Sequence, residues 1–307
     1  MRIGLLLILI AALGTAVYMY RTEIPYLNDF FPSESKSKFQ SKKKHKKKPH
    51  SPTQRNTFNI DEKTKEEIKA YFKGIKLNPK NNYMKYAMDL DSKKGRKQLS
   101  RGNYKGAYKT YQEVLAISYN NKNLRGIGVS LGYIANILNK AGDKENALKT
   151  YLLQHKITET MHAPHDLGVV QLSISRMLAY KNESLSLMWL MKARDNLKGT
   201  HYKRDTVSVL EELGSKHYYQ GHKEKAGIFY KDAWDLALTL GKSRYDRWAR
   251  WEAGKLYSIY LQKTDNYQNS LNILEHITKE FPVVEMQGEM YSETLFLISK
   301  SYSKLKY

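Results

Sequence analysis

The stretch LEELGSKHYYQGHKEKAGIFYKDA, residues 210–233, decides the fold. Its first half sets Leu210, Leu213, Gly214 and His217 at helical spacing, and after Gly221 its second half does the same with Ala226, Tyr230 and Ala233. Residues three and four apart share one helix face. A glycine between two such runs supplies the left-handed backbone that ends the first helix and turns the chain back. Small side chains at Gly214 and Ala226 let the two helices approach closely. The large ones at Leu213 and Tyr230 fill the space toward a neighbouring pair. One pair cannot bury its apolar face alone, so the unit predicts further copies stacked beside it.

Further copies are present. Upstream, Leu131, Ile134, Ala135 and Leu138 lead through Gly142-Asp143 to Ala147 and Tyr151. Earlier still, Gly95 and Gly102-Asn103-Tyr104 precede Ala107, Tyr111 and Val114. Two weaker copies pair Ile174-Ser175 and Leu178 with Leu187 and Met191, and Tyr257-Ser258 and Leu261 with Ser270, Leu274 and Ile277, ending at Pro282. The register residues Ala107, Ala147, Leu187, Ala226 and Ser270 recur about every 40 residues.

These units resemble the tetratricopeptide repeat, with its Leu-Gly and aromatic in a first helix and Ala-x3-aromatic in a second. The resemblance covers residues 82–282 and matches longer-repeat members better than the 34-residue form. His217 stands where that pattern prefers tyrosine. The resemblance implies an all-α solenoid of five to six helical hairpins. A half-unit over 61–78, N-capped by Asp61, is expected to close one end, and a helix over 284–305 the other. No period-two run predicts a strand.

The preceding residues read differently. Ile3 to Tyr20 carry no charge and are mostly Leu, Ile, Ala and Val, a length that spans roughly 27 Å as a helix. Residues 1–21 are expected to form a transmembrane anchor, with Tyr18 and Tyr20 at the headgroup edge. A cleaved signal peptide is the alternative, with small residues Gly14 and Ala16 at cleavage spacing. The flanking charges leave the repeat domain cytoplasmic or exported, or secreted if the leader is cleaved. Residues 22–60 are expected to be a disordered tether whose lysines Lys42, Lys43, Lys44, Lys46, Lys47 and Lys48 repel one another and bury nothing. Such a cluster suits a plain spacer, an anionic lipid surface or a nucleic-acid arm. Residues 61–307 form the repeat domain.

Composition bounds the chemistry. The 307 residues are 41% hydrophobic and 27% charged with net charge +22, which describes a folded, strongly basic chain. The absence of cysteine excludes disulfides, thiolate metal sites, a cysteine nucleophile and a lipidated cysteine. No phosphate loop, His-Glu-x2-His or Gly-x-Ser-x-Gly motif is present, and Gly126-x-Gly128-x3-Gly132 has the wrong spacing for a dinucleotide turn. His162, His165 and Asp166 read as loop-exposed rather than metal-ligating, His217 as a packed core residue, and Glu211-Glu212 as surface charge. Neither a catalytic residue nor a cofactor or metal is predicted.

In the resembling family the first helices line a groove for a partner segment. By register Arg96, Asn136, Arg176 and Ser215 are equivalent there, with Asn139, Lys140, Tyr218, Tyr219, Lys255, Gln262 and Lys263 nearby. Basic and amide groups beside tyrosines suit an acidic or carboxylate-bearing segment. The expected function is a membrane-anchored protein-binding scaffold. A nucleic-acid or anionic-surface binder and an enzyme with an unrecognised site are the alternatives; nucleic acid is the less favoured partner.

Overall fold

The computed structural model describes residues 58, 60–280 and 288–305, and the expected anchor and lysine cluster lie outside them. Among the described residues there are twelve helices and no strand. None of these helices is long and apolar enough to cross a membrane.

Helix α1 is Glu62–Tyr71. Helix α2 runs over residues 84–100 as Met84–Asp89, a π-helical Leu90–Gly95 and Arg96–Ser100. Then come α3 Tyr104–Asn120, α4 Leu124–Lys140, α5 Lys144–Thr160, α6 Pro164–Leu178 and α7 Glu183–Leu197. The rest are α8 Lys203–Tyr219, α9 Lys223–Leu238, α10 Arg244–Lys263, α11 Tyr267–Glu280 and α12 Gly288–Leu305. Each helix from α3 to α12 packs on its predecessor, and the alternate helices α8, α10 and α12 also touch in succession. The result is five antiparallel hairpins, α2–α3, α4–α5, α6–α7, α8–α9 and α10–α11, stacked side by side and followed by α12.

Small residues meet where the two helices of each hairpin cross. Gly95 and Ala107, Ala135 and Ala147, Ser175 and Ser186, Gly214 and Ala226, and Ser258 and Ser270 are all buried. The approach is close enough that a Cβ on Gly95 would stand 2.8 Å from the Tyr111 ring, and one on Gly214 would stand 2.8 Å from the Tyr230 ring. In the third hairpin the crossing residue is Ser186, not Leu187. Its hydroxyl donates to Ser175 O at 2.7 Å, while the Ser175 hydroxyl donates to Ser186 O at 2.8 Å. The shift has a local cause. In the other four hairpins a left-handed residue (Gly102, Gly142, Gly221 or Asp265) lies five positions before the crossing residue, and the α6–α7 turn has none. In all five the crossing residue's N–H still donates to the carbonyl four residues earlier, from Asn103, Asp143, Asn182, His222 and Asn266.

The two ends also differ from the sequence reading. Asp61 caps α1 by accepting from Thr64 N at 2.9 Å, as expected. Yet α1 lies against second helices: Tyr71 Oη meets Thr150 Oγ1 of α5 at 2.8 Å, and Gln112 of α3 donates to Tyr71 O at 2.5 Å. Its Ile68 is fully buried in the core formed with Leu115, Ile134, Leu153 and Ile157. Phe58 and Ile60 pack on the same core, so the folded part reaches back past Asp61. At the other end α12 is fastened to α10. Trp251 Nε1 donates to Thr294 Oγ1 at 3.1 Å, and Gln262 Nε2 donates to Leu297 O at 2.8 Å and Ser301 Oγ at 2.9 Å.

Candidate interaction face

The predicted groove residues all lie on the first helices α2, α4, α6, α8 and α10. In α2 the π-helical turn tucks Asp91 inside, where Arg96 Nη2 reaches it at 2.8 Å and Tyr111 Oη donates to it at 2.9 Å. Tyr111 stacks on Tyr133 of α4 with centroids 4.2 Å apart. Burial pushes both phenols up, Tyr133 to about 12. Arg96 is therefore a structural group of the first hairpin. Asn136 is nearly buried, while Asn139 and Lys140 are half-buried at the end of α4.

The middle of the face is a row of charges already matched within the chain. Arg176 Nε of α6 donates to Glu212 Oε1 of α8 at 2.5 Å. Lys255 of α10 lies 3.0 Å from Glu252 and 3.4 Å from Glu293 of α12, with its ammonium 4.2 Å from the Trp251 centroid. Burial alone would pull the Lys255 ammonium down. Glu252 and Glu293 outweigh it and hold it above the ordinary lysine range. Glu211 is buried between these pairs, and burial, then the nearby Glu252 carboxylate, pushes its carboxyl well up. Glu211 is therefore not surface charge, whereas Glu212 is an inter-repeat tie.

The last hairpins separate the remaining candidates. Gln262 is 3% exposed and holds α12, so it presents nothing to solvent. Ser215 Oγ meets Tyr230 Oη at 3.0 Å. Tyr218 carries the Lys263 ammonium 4.7 Å above its ring and meets the edge of Tyr260. Tyr219 beside it is 80% exposed. Thus Tyr218, Tyr219 and Lys263 come together as an accessible cluster, while Arg96, Arg176, Lys255 and Gln262 serve packing. His217 is buried, stacked on Phe229 at 5.3 Å, and burial pulls its imidazole down.

A second line of charges ties the opposite ends of these first helices. Arg125 of α4 approaches Asp166 of α6 at 3.9 Å, and Arg204 of α8 approaches Asp246 of α10 at 3.5 Å. Between them His165 meets Asp166 at 3.2 Å and Asp205 of α8 at 2.7 Å, with its ring stacked on Tyr202. Burial opposes the imidazolium, but the two carboxylates prevail and hold its pKa above the ordinary value. His165 is therefore a helix-to-helix link and not a loop residue. Among the described residues no three His, Asp or Glu side chains are grouped to hold a metal ion.

Neither a family model nor a curated protein matches the chain. Among solved structures it is similar to BtubC (BKLC) from P. vanneervenii, at 11% identity and TM-score 0.54, covering 72% of this chain and 91% of that one. It also aligns with a putative kinesin light chain with nearly identical TPR-like repeats from Podosopora anserina, at 15% identity and TM-score 0.46, over 61% of this chain and 90% of that one. The apo form of RapI aligns at 12% identity and TM-score 0.49, over 80% and 93%. The chain is built of TPR-like repeats. An array of this kind buries the apolar seams between neighbouring hairpins.

Proposed function

We propose that this chain is a membrane-anchored scaffold that holds an extended segment of another protein against its first helices. The observation carrying the reading is the cluster of Tyr218, Tyr219 and Lys263, which the first helices α8 and α10 bring together and which leaves an aromatic ring and an ammonium accessible. The internal pairing of Arg176 and Lys255 argues for a specific arrangement of side chains and against a bare positive trough. The partner we favour offers a carboxylate to Lys263 and an apolar or aromatic group to Tyr219. Anchoring rests on the uncharged run Ile3–Tyr20, and the lysines 42–48 would hold the array off the bilayer or on anionic headgroups.

A photo-crosslinking residue placed at Tyr219 in the full chain, expressed in its native membranes, tests this reading. Position 219 should capture a discrete partner that the same group at Ile228, an exposed second-helix position, does not. Lys263→Glu should reduce that capture. Identical products from both positions, or capture indifferent to Lys263→Glu, would remove the assignment.

A further inference from the structure

The connections between hairpins carry a charge pattern that the first-helix face does not explain. Five described connections lead into a first helix: residues 72–83, 121–123, 161–163, 198–202 and 239–243. Successive helices run antiparallel, so all five come to one edge, and contacts join them in order. Asn121 Nδ2 donates to Asn82 O at 3.4 Å, Arg125 faces Asp166, the His165 ring stacks on Tyr202, and Lys203 Nζ donates to Thr239 Oγ1 at 3.0 Å. Taken with the first two residues of the helix that follows, these connections hold eleven Lys and Arg, ten of them exposed, and neither Asp nor Glu. Asp166, Asp205 and Asp246 come next in sequence, but each is under a quarter exposed and faces Arg125, His165 or Arg204. The turns on the opposite edge, taken the same way, carry five basic and five acidic residues. Positive charge is thus gathered on one edge and balanced on the other.

We propose that this edge lies against the anionic headgroups of a lipid bilayer. The chain enters the array there: Phe58 meets the Tyr119 ring at the end of α3 with centroids 5.5 Å apart, and Asp61 lies 2.9 Å from Lys156 near the end of α5. The sequence before Phe58 carries the lysines 42–48 and the apolar run 3–20. The anchoring proposed above brings a bilayer within reach, and the assignment rests on that reading and not on the Tyr219 cluster. A strip of separate lysines on loops suits a broad surface of phosphates and carboxylates, to which each lysine is drawn electrostatically. Tyr83, Tyr202 and Tyr245, each 47% exposed, give the same edge amphipathic rings of the kind that favour the headgroup level. One face of Tyr202 is already covered by His165 and one of Tyr245 by the Arg204 guanidinium, which disfavours these rings as platforms for single-stranded bases.

The test uses the full chain reconstituted in vesicles of phosphatidylcholine alone or with about a third phosphatidylserine. The chain has no cysteine, so His201→Cys and Ser184→Cys place one fluorophore on the strip or on the opposite edge, both at exposed positions. A headgroup-attached quencher should quench position 201 well above position 184 in anionic vesicles, and the excess should vanish in neutral vesicles or at about 0.5 M salt. Lys198→Glu, Lys203→Glu and Lys242→Glu together should lower the docked-to-free ratio about a hundredfold or more. Lys144→Glu, Lys181→Glu and Lys223→Glu change the net charge equally on the opposite edge and should leave quenching at 201 unchanged, with thermal melting showing that both variants fold. Equal quenching at 201 and 184, indifference to phosphatidylserine, or an equal loss from both triple variants overturns the proposal. So does a single-stranded oligonucleotide that binds the chain in neutral vesicles through the same lysines while quenching stays indifferent to lipid charge, which would hand the strip to nucleic acid. Flotation on neutral vesicles after an alkaline wash reports the anchor alone: a chain that fails it yet is quenched at 201 on anionic vesicles loses the anchor and keeps the strip.

Discussion

Two glycine-to-alanine changes separate the packing argument from simple helix propensity. Gly128 and Gly214 both lie inside first helices, α4 and α8. Alanine at either removes the entropy penalty of a helical glycine, worth about 0.5–1 kcal/mol. At Gly128 the new methyl meets Met161 and Thr158 at 3.8 Å, ordinary contact, so the gain is kept. At Gly214 it would stand 2.8–3.0 Å from three atoms of the Tyr230 ring. The ring is buried and its hydroxyl is 3.0 Å from Ser215 Oγ, so moving it strains the hairpin and stretches that bond. Overpacking of this kind costs about 1–3 kcal/mol, which at the middle of each range exceeds the propensity gain and leaves roughly 1 kcal/mol of net loss. Thermal unfolding of the full chain should therefore show Gly128→Ala melting about 2 °C higher and Gly214→Ala about 2–4 °C lower than the unaltered chain. Shifts of the same sign and size at both sites would refute the idea that the small residues are set by helix approach.

His165 gives a pH test. Its folded pKa lies above its ordinary value because Asp166 and Asp205 face it, so its contribution is fully present below the unfolded pKa and is lost as pH rises through the folded one. His165→Gln should lower the denaturant midpoint at pH 5.5–6 and leave it nearly unchanged at about pH 9; an equal loss at both would show a purely steric role. Arg250 is buried, and donates to Ala237 O at 3.3 Å, Leu240 O at 2.9 Å and Gly241 O at 3.2 Å, with Glu280 as its ion partner. Arg250→Ala strips the side-chain donors from Leu240 O and Gly241 O and leaves Glu280 without its ion partner, and should cost about 3–5 kcal/mol in chemical denaturation, as for half of a buried pair.

The repeat was legible because its decisive residues are local. Small residues at the crossings mark four hairpins, and three of their turns carry a glycine five positions earlier. The third hairpin misled by one residue because its turn carries no left-handed residue: Leu187 fits the apolar pattern, but Asn182 caps α7 and delivers Ser186 to the crossing. The groove was less legible because its charges are answered one repeat away. Arg176 finds Glu212, Lys255 finds Glu293 and Arg125 finds Asp166, partners 36, 38 and 41 residues on. Opposite charges recurring at about the repeat length are the signal that would have exposed these ties. Asp91 was hidden differently, since an α-helical reading does not anticipate the π turn that folds it beneath Arg96.

The constant bond from each crossing residue back to the carbonyl four positions before it has a consequence for how such an array can vary. Phase along the chain is kept by where a second helix starts, and the loop ahead of it is free to gain or lose a residue. The α6–α7 connection, without any left-handed residue, is the working example. Deletions and insertions in these loops should then pass silently, whereas one slipped residue between a cap and its crossing would rotate that helix by about 100° and turn its seam outward.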